Sequence, residues 1–338
     1  MNEHKYLVAI QCFTYNHSQY VLDALNGFVN QQTSFPFIIM IVDDASIDGE
    51  QEVIRNFITD QFNLADTNVA YEKETDYAHI TYAQHLTNLN CYIVALFLKE
   101  NHYSQHKRKL PYLSDWRDGC KYEAICEGDD YWIDPLKLQT QVNFLETNPD
   151  YVLSYSDKIV VNEKGKRMIT NRLSGKSGDL FDYLLFKGNP ITTASTCFRI
   201  DAYSKVQEKI NDIDLRHLII GDYPTWIIMS KLGKIQYVDT KMTAYRVLSN
   251  SASHSSNPKY IENFYREELR IKTKLYKEYT GKDASSEFEK SYYKTLIRKM
   301  VQYDKKIFFK YYKEGIKRYP ILLFSPKLIF FFLYKFCH

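Results

Sequence analysis

The stretch Phe37-Ile38-Ile39-Met40-Ile41-Val42-Asp43-Asp44-Ala45-Ser46-Ile47-Asp48-Gly49 decides the fold of this chain. Its first six residues form an unbroken apolar run, the pattern of a parallel strand buried on both faces. The run stops at two adjacent carboxylates, and Asp48-Gly49 then opens a helix to about Thr59. Upstream, Ser18–Gln31 carries Val21, Leu22, Leu25, Phe28 and Val29 on one helical face, with Ser18 placed to cap it. Before that, Tyr6–Cys12 is a short buried strand, and downstream Asn68–Tyr71 is a weaker one. A β-α-β-α-β order implies an α/β fold with a parallel sheet and right-handed crossovers.

The pattern continues with a helix over Thr81–Leu98 and a polar, basic inserted loop over Glu100–Arg117. Lys121–Cys126 is the next strand, ending at Glu127-Gly128-Asp129-Asp130. Asp134–Thr147 is a helix with Asp134 as its cap and Pro135 in its first turn. Strands follow at Tyr151–Ser156 and Thr193–Arg199, a helix at Gly221–Leu232, and short strands at Lys234–Val238 and Met242–Arg246. From Pro258 the pattern is helical and carries no chemical motif.

A chain of 338 residues, 45% hydrophobic and 25% charged, is long enough to pack a large core. Its net charge of +3 argues against a general nucleic-acid binder. Aromatics reach 15%, with 29 Tyr and 20 Phe spread along the chain, which reads as compositional drift before it reads as sugar stacking. Six Cys without a C-x-x-C pair or zinc spacing fit a reducing compartment, and Met1–Tyr6 runs into a strand with no apolar leader, so a cytoplasmic location is expected. Beyond Lys305 the charge is basic, with Glu314 the lone acid. Pro320–Phe336 is strongly apolar but too short to span a bilayer. It reads equally as a membrane-surface contact at the inner face of the plasma membrane and as a helix packed on the rest of the protein.

Three acidic clusters lie at strand ends or helix starts, where open α/β sheets bind ligands. They are Asp43-Asp44, Glu127-Gly128-Asp129-Asp130, and Asp222 after Gly221. A lone Asp after a strand is more often a cap or turn residue. Three acids in four residues, however, repel each other unless a cation holds them, and oxygen ligands suit Mg²⁺ or Mn²⁺.

With these motifs in place, the chain resembles the family 2 glycosyltransferases. Ala9-Ile10-Gln11-Cys12-Phe13-Thr14-Tyr15-Asn16 is similar to their opening strand and turn, and Asp43-Asp44-Ala45-Ser46-Ile47-Asp48 to their nucleotide-binding segment. Glu127-Gly128-Asp129-Asp130-Tyr131-Trp132, with Pro135, Lys137 and Leu138, is similar to their metal-binding segment, and Gly221-Asp222 stands where they carry a catalytic acid pair. The resemblance covers about residues 6–250. It implies a GT-A fold, Rossmann-like with a mostly parallel sheet flanked by helices, and a helical C-terminal extension. Residues 1–255 would form the catalytic domain, about 1–115 its nucleotide half and 116–255 its metal and acceptor half, with 256–338 the extension. It implies transfer of a sugar from a nucleoside-diphosphate sugar to a hydroxyl of a glycan or lipid-linked acceptor, with inversion, in the setting of bacterial surface polysaccharide or glycolipid synthesis. Thr14, Tyr15, Asn16, Asp43, Asp44, Ser46 and Asp129 would bind the donor, Asp130 and Glu127 the Mg²⁺ or Mn²⁺, and Trp132 and Arg246 the acceptor. Asp222 would be the base, and His254 is a further phosphate candidate. The motifs depart from the family pattern in reading Glu-x-Asp-Asp at the metal segment and Gly-Asp at the catalytic pair, and no Gln-x-x-Arg-Trp is present. A metal-dependent nucleotidyltransferase is the competing enzyme, but Thr14-Tyr15-Asn16-His17 offers no Gly-rich phosphate loop. A non-catalytic sugar-binding relative is the third reading, set against the retention of all three acid clusters.

Overall fold

The computed structural model describes residues 5–170, 173–215, 218–248 and 257–337. The first half is built on β1 (Val8–Thr14), α1 (Val21–Val29), β2 (Phe37–Asp43), α2 (Glu50–Gln61), β3 (Ala70–Glu74), β4 (Ala78–Gln84), β5 (Cys91–Leu98) and α3 (Ser114–Arg117). Then come β6 (Tyr122–Ile125), β7 (Tyr131–Trp132), α4 (Lys137–Thr147), β8 (Tyr151–Asn162), β9 (Arg167–Met168), α5 (Phe181–Phe186), β10 (Thr196–Arg199), α6 (Ile200–Asp212), α7 (Asp222–Leu232) and β11 (Lys234–Val247). Four helices close the chain: α8 (Pro258–Thr280), α9 (Ser285–Met300), α10 (Lys305–Arg318) and α11 (Pro326–Cys337).

One 11-stranded sheet runs in the order β3-β4-β5-β2-β1-β6-β10-β8-β11-β7, with β9 beside β8. Its centre, β5-β2-β1-β6, is parallel, and β8 and β11 are parallel to each other. β4, β10, β7 and β9 run the other way, so most strands share one direction. β2 is buried at every position, as its unbroken apolar run requires.

Three expectations are corrected. Thr81–Leu98 is not a helix but the end of β4, a turn, and β5. His85 closes that turn by accepting the N–H groups of Thr87 and Asn88 on Nδ1, at 3.2 and 3.0 Å. β5 lies between β2 and β4 with nearly every residue buried, so its sequence lacks the alternation that marks a half-exposed strand. Ser18 does not cap α1: its N–H donates to Asp48 Oδ2 at 2.9 Å, and the helix starts at Val21. The two short strands expected at Lys234–Val238 and Met242–Arg246 are one long strand, β11, kinked by register shifts between Val238 and Thr243.

The sheet buries one core against α1, α2 and α4 and another against the chain around Leu113 and Cys120. A third core joins β8, α5, α6 and α7 to Ile271 and Leu275 of α8 and Phe288 of α9. The first C-terminal helices are therefore fused to the sheet region. A separate core, with Leu296, Ile297, Phe308, Tyr312 and Leu328, holds α9, α10 and α11 together.

Candidate functional site

Parallel pairing sets Thr14 opposite Asp43 and Asp43 opposite Phe97, and puts Gln11 beside Ile125. The loops after β1, β2, β5 and β6 therefore leave the same edge of the sheet, the C-terminal edge where ligands bind.

The loops after β1 and β2 are knitted together. Asn16 donates its N–H to Ser46 Oγ at 2.9 Å and accepts the Ile47 N–H at 3.0 Å. Asn16 and Ala45 both hold left-handed backbone, at φ 56° and 60°. For Ala that costs about 1 kcal/mol, which the surrounding bonds must hold in place. Glu50, buried at the start of α2, ties the two loops: it accepts the Thr14 hydroxyl, the His17 N–H at 2.9 Å and the Ser46 hydroxyl at 2.8 Å. Burial raises its pKa, and these donors oppose the shift. Thr14, Asn16 and Ser46 thus act as scaffold, while Tyr15 is exposed.

The two aspartates after β2 differ. Asp43 Oδ1 accepts the Ser46 N–H at 3.0 Å and the Gln51 amide at 2.6 Å, whereas its buried Oδ2 has no partner among the described residues. Burial pushes its pKa up, against those donors. Asp44 is fully buried and fully used. It accepts the N–H groups of His102 and Tyr103 at 2.7 and 3.0 Å and pairs with Lys109 Nζ at 2.7 Å. The basic loop after β5 is thereby folded over the end of β2.

The acid turn after β6 is packed against these loops through Gly128. A Cβ there would lie 2.7 Å from Thr14 Cβ and overlap its hydroxyl, so only glycine fits. The Glu127 side chain remains exposed to solvent, although neighbouring protein crowds its carboxyl. Burial, then the charges of Asp129 and Asp222, push its pKa up to about 7, with Lys109 opposing. Asp129, Asp222 and Lys109 therefore all lie within electrostatic reach of Glu127. Asp129 is half-buried. Asp130 is buried below it, with Oδ1 accepting the Arg246 N–H at 2.7 Å. Burial and the Asp129 charge hold its pKa well above the usual carboxylate range. Asp222 is the first residue of α7, with Gly221 as the flanking cap residue, and its Oδ2 accepts the Thr193 hydroxyl at 3.1 Å. Burial raises its pKa, and Thr193 opposes the rise.

Both expected acceptor contacts are corrected. Trp132 is buried, donates Nε1–H to the Ala194 carbonyl at 2.8 Å, and packs on Phe28 and the Lys137 ammonium, 4.1 Å from its ring centre. It is a core residue and offers no face to a sugar. Arg246 is a brace: Nε donates to the Asp129 carbonyl at 2.8 Å, Nη1 to the Glu163 carbonyl at 3.1 Å, and Nη2 pairs with Asp23 at 2.6 Å. Its guanidinium also faces the rings of Tyr20 and Tyr131. His254 lies outside the described residues.

Sequence reasoning missed Glu50, Lys109 and the amides of His102 and Tyr103. A lysine in a basic loop directly after a buried apolar run, facing buried acids, was the available signal for Lys109. Lys109→Met removes the cation from Asp44 but leaves its two N–H donors. The expected cost is about 3 kcal/mol, the low end for breaking a buried pair, measured by urea unfolding.

No three His, Cys, Asp or Glu side chains among the described residues are arranged to hold a metal by themselves. Mg²⁺ and Mn²⁺ do not demand such a set, because they bind through one or two carboxylates plus substrate phosphates. The crowded, mutually repelling acids Glu127, Asp129 and Asp130 fit a cation of that kind. The sign of the pH effect follows. Glu127 has a folded-state pKa of about 7 against an ordinary 4.5, so unfolding releases its proton and stability falls as pH rises through that window. Asp130 and Asp222 act in the same direction. In chelator, the melting temperature is expected to fall as pH rises from about 4.5 through about 7. Added Mn²⁺ is expected to raise it more above that window than below. Thermal scans across pH, with and without Mn²⁺, check both.

No family model matches the chain. An uncharacterized protein of Mycobacterium bovis and two of Mycobacterium tuberculosis are each 28% identical to it over 220 residues, covering 64% of this chain and 55% of each relative. The chain thus spans about half the length of the curated relatives it matches. Among solved structures, S. aureus TarS 1-349 in complex with UDP is similar at 12% identity, over 93% of this chain and 89% of that one, with a TM-score of 0.46. The mannosyltransferase PcManGT from Pyrobaculum calidifontis, in complex with GDP-Man and Mn²⁺, is similar at 11% identity over 98% and 84%, with a TM-score of 0.45.

Proposed function

We propose that this chain is a GT-A glycosyltransferase that moves a sugar from a nucleoside-diphosphate sugar to an acceptor hydroxyl with inversion, using Mg²⁺ or Mn²⁺. The observation that carries this reading is the gathering of acids from separate loops at the C-terminal edge of the parallel strands. There the Asp43-Asp44 turn, the 127–130 acid turn and Asp222 meet, tied by Gly128 against Thr14 and by Lys109 on Asp44. On this reading the nucleoside sits on the Asp43 side, beside Tyr15 and the basic loop. The Asp43 oxygen that lacks a partner is suited to take a donor from the base or ribose. Glu127, Asp129 and Asp130 hold the cation, which offsets charge on the leaving diphosphate. Asp222, within electrostatic reach of Glu127, takes the proton of the attacking hydroxyl. Its raised pKa makes it a better base than a solvated aspartate. The catalytic domain is taken as residues 1–255 and the extension as 256–338, acting on a glycan or lipid-linked acceptor at the cytoplasmic side of a membrane.

The test is release of free UDP or GDP from a panel of nucleotide sugars, with and without Mn²⁺. Metal-dependent release from one donor, rising with an acceptor, is the expected result. No release from any donor, together with no thermal stabilisation by UDP or GDP, would sink the reading.

A further inference from the structure

No helix among the described residues is long and apolar enough to cross a membrane. The C-terminal unit nonetheless presents an apolar face outward. α11 packs inward through Leu328 and Phe332, the latter against Phe309 and Tyr312. Its other side, with the short turn before it, exposes Ile321, Phe324, Ile329, Phe330, Leu333 and Phe336, each 42–77% accessible. At roughly 200 Å² for a fully exposed large side chain, these six present on the order of 700 Å². That exceeds the roughly 300–600 Å² of the largest patch on an ordinary monomer.

Charge accompanies this face. A groove of about 480 Å³ opens beside Ile321 and Phe324, between α5 and α9, and is lined by Lys290 and Lys294 with Glu287. Lys327 is exposed at the start of α11. None of these three lysines has an acidic partner among the described residues. α10 adds Lys305, Lys306, Lys310, Lys313 and Lys317 against one acid, Glu314, while Arg318 pairs with Glu289. An apolar face bordered by diffuse, unpaired cations complements an anionic bilayer surface: apolar side chains enter the acyl boundary while ammonium groups meet lipid phosphates. We propose that this face, Ile321–Phe336 with Lys290, Lys294 and Lys327 at its border, docks the protein on the surface of a bilayer carrying anionic lipid. The docking is independent of the catalytic reading, because none of these residues belongs to the acid cluster.

The test is co-sedimentation of the full chain with vesicles of phosphatidylcholine, or of phosphatidylcholine holding about one part in three of phosphatidylglycerol. Binding is expected on the anionic vesicles, weakened by salt, and little on the neutral ones. Lys290→Gln/Lys294→Gln/Lys327→Gln is expected to weaken it about a hundredfold, at about fivefold per lysine. Phe324→Ser/Phe330→Ser/Phe336→Ser is expected to abolish it. Both variants change surface residues, so melting temperature and nucleotide binding should match the parent and separate this outcome from failure of the catalytic reading. Equal binding to both vesicles, no binding, or binding unchanged in either variant would overturn the proposal. So would a stable dimer in sedimentation velocity that the Phe variant dissolves, since the occupant would then be a second copy.

Discussion

Asp222→Asn is expected to lower turnover by roughly 10²–10⁴, the usual share of general-base catalysis, while leaving the melting temperature and donor affinity near their parent values. The side chain begins α7 and accepts a hydrogen bond from the Thr193 hydroxyl. An asparagine carbonyl accepts that bond equally well, so the local structure persists. The carboxylate is what disappears. Removing a charge from a crowded acid cluster is neutral or mildly stabilising, because Asp222 raises the pKa of Glu127 through repulsion. Steady-state transfer, donor titration and thermal scans of the variant check the three parts. If transfer stays near parent rates with Asn at 222, the base lies elsewhere, and Glu127 becomes the next candidate by position.

The elements that build the C-terminal edge of the sheet were legible because each carries an unambiguous physical signature. β2 is apolar without a break and ends on two acids, and the structure buries it on both faces as that pattern demands. The 127–130 turn was legible from charge density, since three acids in four residues need an explanation. β4 and β5 were misread because a strand sandwiched within a sheet has no polar alternation, and Thr81–Leu98 is long enough to pass for a buried helix. The site's wiring was less visible than its acids. Arg246 reaches Asp23, some two hundred residues away in the chain, and Lys109 reaches Asp44 from a loop with no pattern of its own. Such contacts depend on tertiary placement, which periodicity does not encode. Trp132 illustrates the opposite error. Its position beside the acid turn suggested a ligand platform, but Gly27 admits the β7 backbone close to α1, and the indole is sealed beneath it.

Asp130→Asn is expected to abolish metal-dependent transfer while leaving the fold intact, and the structure gives a specific reason for the second half. Asp130 is buried, and its pKa is held well above the usual carboxylate range by burial and by Asp129. Without a cation the favoured form at that position is the neutral acid. Asparagine has nearly the same shape, keeps an oxygen to accept the Arg246 N–H, and carries no charge to desolvate. In chelator the variant should therefore melt at or above the parent temperature. The parent should gain stability on adding Mn²⁺ with UDP or GDP, because ligand binding to the native state raises its melting temperature. The variant should gain little, since Asp130 is one of the few carboxylates that hold the cation and its loss removes much of the site. Turnover should fall by at least about 10², the scale seen when a charge-stabilising group is lost from an active site. A variant that melts lower in chelator would show that the ionised carboxylate supports the fold. Parent-like transfer in EDTA, with or without the substitution, would remove the metal from the mechanism and leave the acid turn as scaffold for Arg246.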